Sequence, residues 1–153
     1  MVVSKKSKSI KQIKALEFFK PDKSKTLLLK LFTNTISAGF PSPADDFIDK
    51  KLDLNEYLIK NSSATFLVKV NGNSMINAGI NNGDILIVDR SLEPTNGKVV
   101  IGVINGEFTV KRILKKGKKI FLSPENEKFK PIEINEDMDF KIWGVVVYTI
   151  HKL

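Results

Sequence analysis

The chain has 153 residues, 42% hydrophobic and 27% charged, with a formal net charge of +8, which suits one globular domain and leaves no room for a multidomain machine. It has no Cys and a single His, His151, which excludes disulfides, thiolate zinc sites, iron–sulfur clusters and a Cys nucleophile, and leaves no core histidine for a Ser/His/Asp triad. No metal or cofactor is expected, and neither a bilayer-spanning run of roughly 20 apolar residues nor the uninterrupted apolar core of a secretion signal is present, so a cytoplasmic protein is expected.

The positive charge sits at one end. Residues 1–38 carry nine lysines against Glu17 and Asp22, a net +7, whereas residues 39–153 carry 16 basic and 15 acidic groups, a net +1. A nearly neutral body behind a basic segment describes a folded domain with a solvated or docking arm, and a block of lysines is a candidate for nucleic-acid contact by that arm.

In chain order, residues 1 to about 25 are rich in Lys and Ser and are expected to form a flexible tail, although Ile10, Ile13, Leu16 and Glu17 have the spacing of a short amphipathic turn. Leu27 to Phe32 suits an extended strand against the body. Ser37-Ala38-Gly39-Phe40-Pro41-Ser42-Pro43 can continue neither a helix nor a central strand and reads as an extended linker. From Ala44 to Ile59 the spacing of Phe47, Ile48, Leu52, Leu54, Leu58 and Ile59, with Asp45 and Asp46 at the start, predicts one or two short helices. Strands are then expected over Thr65–Val70, Asp84–Asp89, Lys98–Ile104, Glu107–Ile113, Lys119–Leu122 and Phe140–Ile150. Asn105-Gly106 is a two-residue hairpin signal, because both central positions of a type I′ turn need positive φ. Lys115-Lys116-Gly117-Lys118-Lys119 marks a second turn.

Two places can carry chemistry. Asn71-Gly72-Asn73-Ser74-Met75 follows a strand directly, and a serine at such a junction can face a cleft with free backbone N–H groups beside it. Asn and Gly at this position equally serve to shape a turn. The second is Lys111, which strand alternation places on the face of Thr109 and opposite Phe108 and Val110; a strand lysine can also be simply solvated. The two belong together because a serine nucleophile needs a base and the chain has no core histidine to supply one. A neutral lysine can act only if burial destabilises its ammonium: a pKa near 7 needs about 4.6 kcal/mol of differential destabilisation.

Several motifs, agreeing in order, resemble the C-terminal peptidase domain of the LexA and UmuD family of self-cleaving bacterial stress-response proteins, the UmuD branch more closely. They are Gly39-Phe40-Pro41-Ser42-Pro43-Ala44, Asp53-Leu54-Asn55, Gly72-Asn73-Ser74-Met75, Gly79-Ile80, Gly83-Asp84-Ile85-Leu86-Ile87-Val88-Asp89, Gly106-Glu107-Phe108-Thr109-Val110-Lys111-Arg112 and Trp143-Gly144-Val145-Val146. The resemblance implies a mostly β fold of twisted, mainly antiparallel sheets with one or two short helices behind a flexible N-terminal arm. It implies a Ser/Lys peptidase with Ser74 as nucleophile, Lys111 as general base and the backbone N–H groups of Ser74 and Met75 as oxyanion donors. The family cuts before a Gly in a short exposed segment, which here is the Ala38-Gly39 bond, dividing the chain into an arm (1–38) and a peptidase and dimerisation domain (39–153).

The implied setting is the SOS DNA-damage response. The implied partners are a second copy of the chain, a recombinase filament on single-stranded DNA that stimulates the cut, and a translesion DNA polymerase served by the cleaved dimer. Residues 1–38 are too short for the winged helix-turn-helix of LexA, which argues against an operator-binding repressor. Two other readings stand beside this one: a non-catalytic dimeric adaptor, and a repressor-like regulator whose basic arm touches nucleic acid.

Overall fold

The structure is a computed structural model that describes residues 17–32, 38–39 and 48–153. Its elements in chain order are β1 (Glu17–Phe19), β2 (Leu28–Phe32), β3 (Ile48–Asp53), α1 (Leu54–Leu58), β4 (Thr65–Lys69), a 3-10 turn (Ile76–Ala78), β5 (Ile85–Asp89), β6 (Val99–Ile104), β7 (Glu107–Lys116), β8 (Lys119–Ser123), β9 (Ile132–Ile134) and β10 (Phe140–Ile150). Eight strands form one antiparallel sheet in the order β1-β4-β5-β10-β6-β7-β8-β9, and β2 pairs with β3 in a separate two-stranded sheet. The protein is mostly β and antiparallel, as the sequence predicts.

Alternation along the central strands gives the sheet two apolar faces. Val100 and Ile101 are adjacent in β6 and fully buried, yet they belong to different clusters, as successive strand side chains must. One cluster gathers Val68, Val70, Met75, Ile80, Leu86, Val88, Ile101 and Val110; the other gathers Val100, Ile113, Leu122 and Val145. β-Branched residues dominate both, which suits the pleated surface.

The hairpins form where the turn chemistry puts them. Asn105 and Gly106 have φ of 49° and 81° and connect β6 to β7 with Ile104 opposite Glu107. Gly117, at φ 59°, turns β7 into β8, with Lys116 opposite Lys119. In β10 the register slips between Ile142 and Gly144. A Cβ on Gly144 would stand 2.6 Å from Val88 Cγ1, so the bulge and the close approach of β5 require glycine there.

The structure departs from expectation in three ways. The helical reading of Ala44–Ile59 is half right: α1 covers only Leu54–Leu58, Ile48–Asp53 is strand, and residues 44–47 lie outside the described residues. The helix starts where it does because Asp53 caps it, its carboxylate accepting the Asn55 N–H at 2.9 Å. Upstream, β2 offers backbone partners that the helical pattern could not foresee, with Leu28 opposite Asp53 and Leu29 opposite Leu52. Second, the arm is more than a tail: Glu17, expected in an amphipathic turn, lies in β1, which adds an edge strand to β4 with Phe18 opposite Val68. The rest of that turn, Ile10, Ile13 and Leu16, lies outside the described residues. Third, β9 was not anticipated; three residues between Pro131 and Asn135 are too few to show a period.

Candidate active site

A short loop between β4 and β5 presents Ser74. Its base is closed by paired backbone bonds, Val70 N–H to Asp84 O at 2.8 Å and Gly83 N–H to Val70 O at 2.9 Å. Inside it, Gly72 takes φ 109° and donates its N–H to Asn82 Oδ1 at 2.8 Å. Met75 then drops into the core at 2% exposure beside Val70, Ile80 and Val110. Burial of Met75 anchors the loop one residue after Ser74, which itself stays half-buried.

Lys111 comes from the middle of β7, opposite Val100 of β6, and is 8% exposed. Its Nζ lies 2.9 Å from each of three oxygens: Ser74 Oγ, Thr109 Oγ1 and the Val110 carbonyl. Among the described residues it forms no ion pair with a carboxylate. Burial without a counter-ion removes water from the ammonium and replaces it with neutral dipoles, which lowers the Lys111 pKa from the ordinary lysine value. The strand partner Thr109 shares the face predicted for it, so this much of the amine's environment was legible from alternation.

The two residues meet in a cleft of about 210 Å³, with Val70 to Met75 along one side, Phe108 to Lys111 along the other and Phe129 at the rim. The backbone N–H groups of Ser74 and Met75 donate to no partner among the described residues. Ala38 and Gly39 are both exposed and do not line the cleft. The chain's only histidine lies elsewhere as well: His151 Nδ1 sits 2.6 Å from Oδ1 of the buried Asp84, and neither residue lines the cleft. Among the described residues no group of three or more His, Cys, Asp or Glu could hold a metal, and no helix is long and apolar enough to cross a membrane.

Sequence reasoning missed one element of the site. The loop after β8 grips the Ser74 loop: Glu125 N–H donates to Ser74 O at 2.8 Å, Asn77 N–H donates to Glu125 O at 2.8 Å, and Asn126 Nδ2 donates to Asn73 O at 2.8 Å. No local signal in Pro124-Glu125-Asn126 announces a partner more than 45 residues away in the chain; the strand pairing of β7 and β8 creates it.

Comparison with known proteins gives the family. The profile of the Peptidase S24-like family matches residues 30–147. The chain is 44% identical over 126 residues to Protein ImpA of Salmonella typhimurium, covering 80% of this chain and 83% of that one. It is 41% identical over 123 residues to Protein MucA of Escherichia coli, covering 80% and 84%, and 38% identical over 139 residues to the LexA repressor of Clostridium botulinum, covering 91% and 68%. The share of the chain matched and the level of identity place the protein in the Peptidase S24-like family, the family of LexA that its motifs resemble.

Proposed function

We propose that the protein is a serine peptidase that cuts its own Ala38-Gly39 bond with a Ser74/Lys111 dyad. The observation that carries this reading is the 2.9 Å approach of Lys111 Nζ to Ser74 Oγ in a site where, among the described residues, no carboxylate pairs with the amine. An ammonium donates to all three neighbouring oxygens. A neutral amine donates to the Val110 carbonyl and Thr109 Oγ1, and its lone pair then faces the Ser74 hydroxyl, which is the arrangement a general base requires.

The steps follow. Lys111 takes the Ser74 proton as Oγ attacks the Ala38 carbonyl carbon, and the Ser74 and Met75 N–H groups receive the oxyanion. Collapse breaks the Ala38–Gly39 C–N bond, the ammonium returns the proton to the Gly39 amine, and an Ala38–Ser74 ester remains. Water, deprotonated by Lys111, attacks the ester and releases the Ala38 carboxylate and the serine hydroxyl. The small side chains at the bond allow close approach, and tethering makes the attack effectively intramolecular.

Because Ala38 and Gly39 are exposed outside the cleft, cleavage needs the segment to dock first. A stimulator that favours the docked state raises the rate without giving a catalytic group. The motif resemblance supports the wider setting: an SOS-response protein of the cytoplasm, a homodimer whose arm (1–38) is removed from the peptidase domain (39–153), a recombinase filament on single-stranded DNA as stimulator, and a translesion DNA polymerase as the partner of the cleaved form.

The test is incubation of the purified chain at alkaline pH with mass spectrometry of the products, beside Ser74→Ala. A break between residues 38 and 39 in the wild type and none in a folded Ser74→Ala is expected. An intact wild-type chain at high pH would favour the adaptor reading instead.

A further inference from the structure

Both candidate oxyanion donors are governed from a place outside the dyad. In a trans peptide the carbonyl of one residue and the N–H of the next point in opposite directions, and every described peptide bond is trans. The Met75 N–H shares its peptide plane with the Ser74 carbonyl, and the Ser74 N–H shares its plane with the Asn73 carbonyl. Those two carbonyls are the ones held by the loop after β8: Glu125 N–H takes the Ser74 oxygen and Asn126 Nδ2 takes the Asn73 oxygen, each at 2.8 Å. Pinning the two carbonyls on one side turns both N–H groups to the other side, away from residues 125 and 126.

The loop itself is fixed by an ion pair. Arg112, the residue after Lys111, engages Glu125 through Nε, and its Nη1 donates to the Gly97 carbonyl at 2.6 Å. Ser123 is the β8 partner of Arg112, so the pair ties the strand that bears the amine to the loop that holds the serine. A half-exposed ion pair of this kind contributes little to global stability. Its leverage is local, because the Glu125 backbone makes two of the three bonds across the loops.

We propose that Asn126, Glu125 and Arg112 are positioning residues that pre-set the Ser74 and Met75 N–H groups for the oxyanion and keep them in register with Lys111. The inference rests on the peptidase reading above, and its signature differs from that of the dyad: losing a positioning residue lowers the limiting rate without moving the pH at which Lys111 titrates, since Nζ keeps all three of its oxygens.

The decisive variant is Asn126→Ala, which removes the Nδ2 donor without adding a charge. Its alkaline self-cleavage should fall about tenfold to a hundredfold at the plateau, less than or comparable to the loss of an oxyanion donor itself, with an unchanged midpoint on the rate-against-pH curve. Arg112→Gln and Glu125→Gln should each slow cleavage, and the double variant should be little slower than either single one, as expected for groups acting through one contact. Labelling of Ser74 by a fluorophosphonate, whose phosphoryl oxygen needs the same N–H groups, is measured on the same variants and does not depend on which bond is cut. A wild type that labels but never cleaves would remove the self-cleavage reading and leave this inference to the labelling rates. Asn126→Ala cleaving and labelling within twofold of the wild type would overturn the inference, as would a midpoint that shifts together with the rate. A wild type that neither cleaves nor labels overturns both.

Discussion

Lys111 reaches Ser74 Oγ at 2.9 Å from a position only 8% exposed, and the other two partners of its amine are a hydroxyl and a backbone carbonyl. The folded chain therefore holds this lysine with a pKa below its ordinary value of 10.5. Between the folded and unfolded values the unfolded chain binds more protons, so stability rises with pH through that interval, and the cost of burying the ammonium is felt in full below the folded value.

Lys111→Met removes that cost at similar length. At neutral pH the variant should be more stable than wild type by about 1 to 2 kcal/mol, seen as a Tm higher by a few degrees, and the gain should shrink as the pH approaches 10.5. Thermal melts of both proteins across this range measure it. A variant less stable at every pH would mean that the three hydrogen bonds of the amine contribute more than its burial costs.

Thr109 offers a finer test of the same amine. Its Oγ1 accepts from Nζ, and an acceptor favours the charged form. Thr109→Val should therefore move the midpoint of the cleavage curve to lower pH. The amine also loses one of the groups that orient it, so the plateau rate should drop about two- to tenfold, the kinetic equivalent of one ordinary hydrogen bond. Cleavage rates measured from neutral to strongly alkaline pH would show both effects. A midpoint that moves upward would contradict the role assigned to Thr109.

The parts of this molecule that were legible in the sequence are those fixed by local rules. Asn105-Gly106 specifies its hairpin because positive φ selects those residues, and the run from Val99 to Ile104 specifies a buried strand by composition alone. Ser74 and Lys111 each stood out by local pattern beside an ordinary structural reading and were paired because no core histidine could serve as base, while the roles proposed for them come from the motif resemblance. What escaped depends on partners distant in sequence. Ile48–Asp53 carries apolar spacing compatible with a helix, and only the availability of β2 makes it a strand. Glu125 and Asn126 have no pattern of their own, and β1 is three residues whose identity as a strand comes entirely from the free edge of β4. Burial of an arm residue against the body is a tertiary fact that composition, dominated there by lysine, conceals.

That arm contact can be read directly. Phe18 packs edge-on against Trp143 at 4.8 Å and Phe108 at 4.9 Å between ring centroids, while Arg90 lies 4.6 Å above the Trp143 ring and donates Nε to its carbonyl. Trp143 is the chain's only tryptophan, so its fluorescence reports on this cluster alone. In the uncleavable Ser74→Ala background, Phe18→Ala should expose the indole, shift its emission to the red and cost about 1 to 2 kcal/mol, because a half-buried aromatic ring and its edge contacts are lost. Phe108 also lines the cleft, so the same change should loosen one wall of the site. In the Ser74-intact chain, Phe18→Ala should therefore alter the rate of the cut while leaving its pH midpoint in place. Unchanged emission in Phe18→Ala would show that β1 does not seat on Trp143 in solution.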